Sequence, residues 1–321
     1  MKNSYQPEGS LLYTPENQEY ISSLSGLERA FAEDKILEST VLFCDSAFRL
    51  HVDLGGVMGI MEKEEAVFCR SGEITKDIAI ITRVGKPIAF KVIGFKRENG
   101  VSIALLSRRK AQEECNTVFL SSLSAGDIIS AKVTHLESFG AFVDIGCGLS
   151  SLLTVDSISV SRISHPRDRL TVGEEIFVVV KSREAESGRI YVSMKELLGT
   201  WEENAKEFEI GQTVLGIVRS IEDYGVFIEL APNLAGLAEI RPDTRDKEIA
   251  KIGSPIAVYI KSILPDRMKI KLVLIDPYRS LPTENSRMRP KYFIDCENTR
   301  HLSYWKYSPE RSQKVIESIF E

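Results

Sequence analysis

The chain repeats itself, and the repeat constrains its architecture more than any other feature. Gly126-Asp127-Ile128-Ile129-Ser130-Ala131-Lys132-Val133, followed by Phe139-Gly140-Ala141-Phe142-Val143-Asp144-Ile145, aligns with a later stretch. That stretch is Gly211-Gln212-Thr213-Val214-Leu215-Gly216-Ile217-Val218, then Tyr224-Gly225-Val226-Phe227-Ile228-Glu229-Leu230. The offset from Gly126 to Gly211 is about 85 residues, the length of one small domain. The second halves match as well: Val172-Gly173 before Ile176–Lys181, and Ile252-Gly253 before Ile256–Lys261. A third, diverged copy lies upstream, where Leu50-His51-Val52-Asp53-Leu54-Gly55-Gly56 resembles Ala141–Cys147, and Val84-Gly85 precedes Ile88–Val92.

Within each copy the runs are short, rich in Val, Ile and Phe, and broken by Gly, Asn, Asp and Pro. This is strand chemistry with turns. Some five strands in so short a copy bury little as an open sheet; closure into a small barrel removes the exposed edges. The chain therefore reads as all-β: three tandem five-stranded barrels with short helical linkers and terminal segments. The boundaries fall at 1–34 for an N-terminal segment, 35–112, 120–198 and 199–276 for the barrels, and 277–321 for a tail. Glu16–Glu33, with Leu24, Leu27, Ala30 and Phe31, predicts an amphipathic helix, and Glu196–Phe208 a helical bridge between the second and third copies. Ser308–Phe320 reads as a helix.

Composition narrows the class. With 321 residues, 43% hydrophobic and 27% charged, the chain has a globular balance, and the length suits two or three domains. No stretch approaches the roughly 20 apolar residues of a membrane span, so no membrane partner is expected. Met1 to Gln18 lacks the basic start and apolar core of a secretory signal. Cys44, Cys69, Cys115, Cys147 and Cys296 are scattered singly, which predicts free thiols in a reducing cytoplasm and no structural zinc. The formal net charge is -5. A chain that held nucleic acid chiefly by neutralising phosphates would be basic, so local cations and ring stacking would carry more of any such binding.

Strand alternation shows where rings could serve. From Ala141 one face reads Ala141, Val143, Ile145 and the other Phe142, Asp144; from Val226 the faces are Val226, Ile228, Leu230 and Phe227, Glu229. Each copy thus sets a phenylalanine beside a carboxylate on the face that should meet water. Phe139 and Tyr224 precede glycines, where a strand can kink and re-aim a side chain. A ring near a strand end is more often core; here the alternation, made twice, opposes that reading. An exposed ring pair offers stacking to any base, worth about 1–3 kcal/mol per base with little sequence preference. Candidate cations are Lys132 on the preceding strand, Arg219 as its counterpart in the third copy, and Arg189 and Lys269 at the start of the last strands. Taken singly, each is more often solvated surface charge than a ligand; its value comes from placement beside the rings. In the first copy Phe48 stands opposite Phe139 and His51 opposite Phe142. Arg49 replaces the glycine, so Phe48 falls on the core face, and a scaffold or protein-docking role suits this copy better than stacking.

These residues resemble the RNA-binding domain named after ribosomal protein S-one. The similarity rests on Gly126 to Val133, the Phe-Gly-Ala-Phe-Val-Asp-Ile-Gly run 139–146, Val172-Gly173, and Arg189-Ile190 followed by Ser193, with Tyr224–Leu230 and Gly236–Ile240 in the third copy. Leu198-Gly199-Thr200-Trp201 resembles the linker between such domains in the bacterial ribosomal protein. The resemblance implies an oligonucleotide/oligosaccharide-binding (OB) fold in three tandem copies. It also implies a non-catalytic protein that binds single-stranded messenger RNA and helps present it to the small ribosomal subunit. It places the family's surface rings on Phe139, Phe142, Tyr224 and Phe227, and its last-strand cation on Arg189 and Lys269. Where the family often carries a histidine, this chain has Thr154 and Glu239. No cofactor is implied. The alternative is a regulatory adaptor outside the ribosome whose barrels also bind protein.

Gly146-Cys147-Gly148 reads as a turn, since it lacks the helix and third glycine of a dinucleotide loop. His51, His135, His165 and His301 are too dispersed for a metal or triad set. The tail rings Tyr292, Phe293, Tyr304, Trp305 and Tyr307, with Arg287, Arg289 and Lys291, fit either an RNA arm or docking segment, or packing back on the third barrel.

Overall fold

The computed structural model describes residues 5–69, 76–184, 187–240, 250–275 and 288–320. Three five-stranded closed barrels follow one another. The first contains β1 (Leu37–Cys44), β2 (Leu50–Leu54), β3 (Val57–Met61), β4 (Pro87–Glu98) and β5 (Val101–Ser107). The second contains β6 (Ile128–Glu137), β7 (Gly140–Asp144), β8 (Ser150–Thr154), β9 (Glu175–Arg183) and β10 (Ile190–Ser193). The third contains β11 (Thr213–Glu222), β12 (Gly225–Ala231), β13 (Leu234–Glu239), β14 (Pro255–Leu264) and β15 (Lys269–Leu274). The neighbour order is the same in each, β1-β2-β3-β5-β4 in the first, with the third and fifth strands parallel. This is the OB architecture, and the chain is all-β.

The same backbone bonds recur in every copy. Gly85, Gly173 and Gly253 donate to the carbonyls of Val41, Val133 and Val218 at 2.9, 2.7 and 2.8 Å. Those valines in turn donate to Lys86, Glu174 and Ser254. The Val-Gly pairs read in the sequence are thus the clasps between first and fourth strands, and they place Val41, Val133 and Val218 at one repeat position.

The chain divides into two compact units. The first joins the N-terminal segment and first barrel with Ser130–Lys132 and Asp144–Ser150; the second holds the rest of the second barrel, the third barrel and the tail. In the first unit, the predicted single helix is two, α1 (Pro15–Ile21) and α2 (Leu24–Ala32). Thr14 and Ser23 each accept a hydrogen bond as N-caps, and a side chain at Gly26 would lie 2.4 Å from the Tyr20 carbonyl oxygen, so the bend is built in. Tyr20, Ile21, Leu27 and Ala30 complete the core of the first barrel with Leu37, Leu50, Phe90 and Leu106.

In the second unit, the bridge is a short turn at Lys195–Leu198 and a helix at Trp201–Ala205 with a full capping box between Thr200 and Glu203. The tail departs from expectation. Ser308–Phe320 forms no helix; Glu317–Ile319 (β17) pairs with Tyr304–Lys306 (β16) as an antiparallel hairpin. The β-branched run Val315, Ile316, Ile319 and the alternation that buries Phe320 favour a strand. Of the two readings of the tail rings, packing back on the third barrel holds for Trp305 and Tyr307, while Tyr304 stays exposed. Trp305 and Tyr307 join the core of the third barrel, while Phe320 packs with Ile128, Val179 and Leu197, and Tyr292 sits edge-on to Phe177 at 5.8 Å. Arg287 lies outside the described residues. Among the described residues, no helix is long and apolar enough to cross a membrane.

Candidate nucleic-acid interface

In the second barrel Phe139, 53% exposed, meets Phe142 edge to face at 6.1 Å and 89°. In the third, Tyr224, 62% exposed, meets Phe227 at 6.1 Å and 88°. The two pairs are superposable in kind because the same local cause acts twice. Gly140 and Gly225 leave room where a side chain would collide with the neighbouring strand, 2.5 Å from the Leu153 carbonyl oxygen and 2.8 Å from that of Ala238. His135 adds a third ring in the second barrel, near parallel to Phe142 at 6.4 Å and hydrogen-bonded to Glu137.

Strand register shows what stands beside the rings. In the third barrel Ser220, Phe227, Leu237, Lys271 and Ser262 form one row across β11, β12, β13, β15 and β14. In the second, Leu152, Tyr191 and Ser182 form the matching row on β8, β10 and β9. Tyr191 and Lys271 were not among the residues singled out in the sequence. The signal was there: each alternates with buried neighbours, Ile190 and Val192, or Ile270 and Leu272. Arg189 and Lys269, both exposed, lie one same-face step before them.

The other two expected cations are committed elsewhere. Lys132 is half-buried, and its ammonium donates to the Glu8 carbonyl oxygen at 3.1 Å. Arg219 is not its counterpart: the Val133–Val218 equivalence puts Ile217 opposite Lys132. Arg219 occupies the bulge between Val218 and Ser220, and its Nε donates to Glu229 at 2.6 Å.

The carboxylates expected to face water are buried. Glu229 is sealed between Arg219 and Arg169. Asp144 accepts from the backbone N–H groups of Glu8, Gly146 and Gly148 at 2.7, 2.9 and 3.0 Å. Burial, with the Glu8 carboxylate alongside, holds the Asp144 carboxyl well above the usual carboxylate range. Alternation set these side chains off the barrel core correctly, but a segment from elsewhere in the chain covers each. The adjoining turn places Cys147 in the left-handed region, φ 48, between two glycines. Contact with the Cys115 thiol and burial push its pKa far up, so the thiol is neutral.

The first barrel has a different surface. Phe48 packs against the core, under the Lys63 ammonium at 4.7 Å. His51 lies parallel to Phe43 at 4.2 Å and is held by Asp45 at 3.0 Å. The row Phe43, His51, Ile60, Leu105, Gly94 carries no lysine or arginine. Among the described residues, no cluster of His, Cys, Asp and Glu could hold a metal ion.

The S1 RNA binding domain family matches residues 122–195, which span the second barrel and its ring pair. The second barrel belongs to the S1 domain family. It is 34% identical over 246 residues to the small ribosomal subunit protein bS1 of Staphylococcus epidermidis, covering 74% of this chain and 59% of that protein. It is 38% identical over 161 residues to bS1 of Staphylococcus haemolyticus, covering 49% and 40%. The chain thus spans less than two thirds of these relatives. A Streptococcus pneumoniae multidomain protein with nucleic acid binding domains aligns over 77% of this chain at 13% identity and a TM-score of 0.24, too low to bear on arrangement. The S1 match falls on the barrel that carries the Phe139–Phe142 pair.

Proposed function

We propose that this chain is a non-catalytic RNA-binding protein of translation, taking single-stranded RNA, messenger RNA included, on the ring pairs of its second and third barrels. The observation that carries this reading is the repeated exposed pair, Phe139 with Phe142 and Tyr224 with Phe227, each at 6.1 Å and near-perpendicular. A base stacks on the exposed ring while the second ring braces it. Arg189, Lys269 and Lys271 stand where phosphates would pass, and Tyr191 extends the surface of the second barrel. The bS1 names of the relatives support a place on the small ribosomal subunit in the cytoplasm. The first barrel, whose row carries no lysine or arginine, suits docking to a protein better than holding a polyanion.

The test is direct. Phe139→Ala with Phe142→Ala is expected to weaken binding of a fluorescent single-stranded RNA by at least tenfold, by loss of stacking, with an unchanged unfolding midpoint. Unchanged affinity would reject the assignment. Co-sedimentation with small subunits at low and high salt tests the ribosomal placement: an adaptor acting elsewhere would stay in the supernatant at both.

A further inference from the structure

The most heavily buried charges in the second unit lie at the joint of its two barrels, outside the ring pairs. Arg169 comes from the segment between β8 and β9 of the second barrel and is fully buried. Its guanidinium pairs both oxygens of Glu229 on β12 of the third barrel, and also donates to the Pro232 carbonyl oxygen at 3.4 Å. Arg219 pairs Glu229 from the other side and approaches Asp168 at 3.5 Å. Beside this cluster Asn233, also fully buried, accepts from the Val160 N–H at 2.8 Å and donates to the carbonyl oxygens of Lys195 and Gly199 at 2.9 and 3.0 Å. The tail locks the same turn: the Tyr307 hydroxyl donates to the Asn233 carbonyl oxygen, and the Trp201 N–H donates to the Tyr307 carbonyl oxygen at 3.0 Å.

Burying charge at a joint is costly, and an apolar seam would hold two barrels together as well. What a guanidinium–carboxylate pair adds is geometry, because its planar donors accept few orientations. The position is informative too. Glu229 lies two residues beyond Phe227 on the strand that presents the ring.

We propose that Arg169 is a positioning residue for RNA: by closing on Glu229 it fixes the ring pair of the third barrel relative to that of the second, so that one continuous single strand meets a preformed two-site surface. This rests on the RNA reading above and deepens it. A fixed pair of sites spares the ordering cost that a flexible tether imposes on the second contact.

The experiment uses the full chain with oligouridylates of two lengths. One of about 6 nucleotides is near the site of a single OB barrel, and one of about 24 can reach both. Arg169→Met removes the lock and leaves Glu229 paired with Arg219. The variant is expected to bind the short oligomer within about twofold of the parent and the long one about tenfold more weakly. A merely structural role would lower both affinities together, and that result, or an undiminished long-oligomer affinity in the folded variant, overturns the proposal. If Arg169→Met does not fold, Tyr307→Phe, which deletes only the tail hydrogen bond to Asn233, must show the same split by length, and its absence there overturns the proposal equally. Failure of the parent chain to bind either oligomer would instead count against the RNA reading itself.

Discussion

At the scale of single residues, Lys271 is the cation best placed to act with a ring. It shares a row with Phe227 through Leu237, whereas Lys269 lies a same-face step away and Glu239 draws on Lys271 only across 3.4 Å of solvent-exposed space. Lys271→Ala is expected to reduce affinity for single-stranded RNA about threefold to tenfold, and Lys269→Ala by less, as one phosphate contact is lost; titrations of the two variants at one salt concentration decide it. Equal effects would place the strand path elsewhere. Phe139, Phe142, Tyr224 and Phe227 could be found from alternation and the flanking glycines, because those signals are local. The burial of Asp144 and Glu229 could not. It depends on Glu8 and Arg169, which are distant in sequence, and nothing in a strand pattern says what will cover its outer face. Arg219 shows the same limit: alternation sets it off the core, but not that Glu229 and Asp168 would claim its guanidinium there.

Single elements carry the same lesson. Strands and turns followed from the spacing of Val, Ile, Gly and Pro, since those preferences act within a few residues. The two ends of the chain were less legible. The Leu24, Leu27, Ala30 and Phe31 spacing predicts helix correctly, yet the close approach of Gly26 to Tyr20 divides it. In the tail a short apolar run served helix and strand equally until pairing with Tyr304–Lys306 settled the matter. The β7–β8 hairpin yields a prediction of its own. A methyl at Gly140 would stand 2.5 Å from the Leu153 carbonyl oxygen and 3.0 Å from Thr154 Cα, both backbone. Gly140→Ala should therefore force the hairpin apart and destabilise the second barrel by about 1–3 kcal/mol, read as a lower urea midpoint. A neutral result would mean that β8 yields freely.

At the scale of the whole molecule, acid and base should act on the first unit. Glu38 is buried, accepts from the Gly9 and Leu11 N–H groups at 2.9 Å each, and has one oxygen without a partner. Burial raises its pKa to about 7, with Glu8 and Asp144 nearby adding to the rise. Asp144 is raised for the same first reason. Around them stand Glu8, Arg83, Arg108 and the Lys132 ammonium. A carboxyl whose folded pKa exceeds its unfolded value binds its proton more tightly when folded, so its contribution is complete below about pH 4 and is lost as the pH rises through about 7. Melting temperature is therefore expected to fall between pH 5 and pH 8, and Glu38→Gln to flatten that slope; a slope of the same size in the variant would assign it to other groups. The three-barrel plan was legible in full from the repeat, whereas these buried clusters were not, being products of how segments meet.

Trp305 and Tyr307 complete a barrel whose strands end some thirty residues earlier. Without that later segment the third barrel would have all five of its strands and yet leave the apolar seat of both rings uncovered. An uncovered apolar seat of that size is the kind of surface that proteases and chaperones recognise.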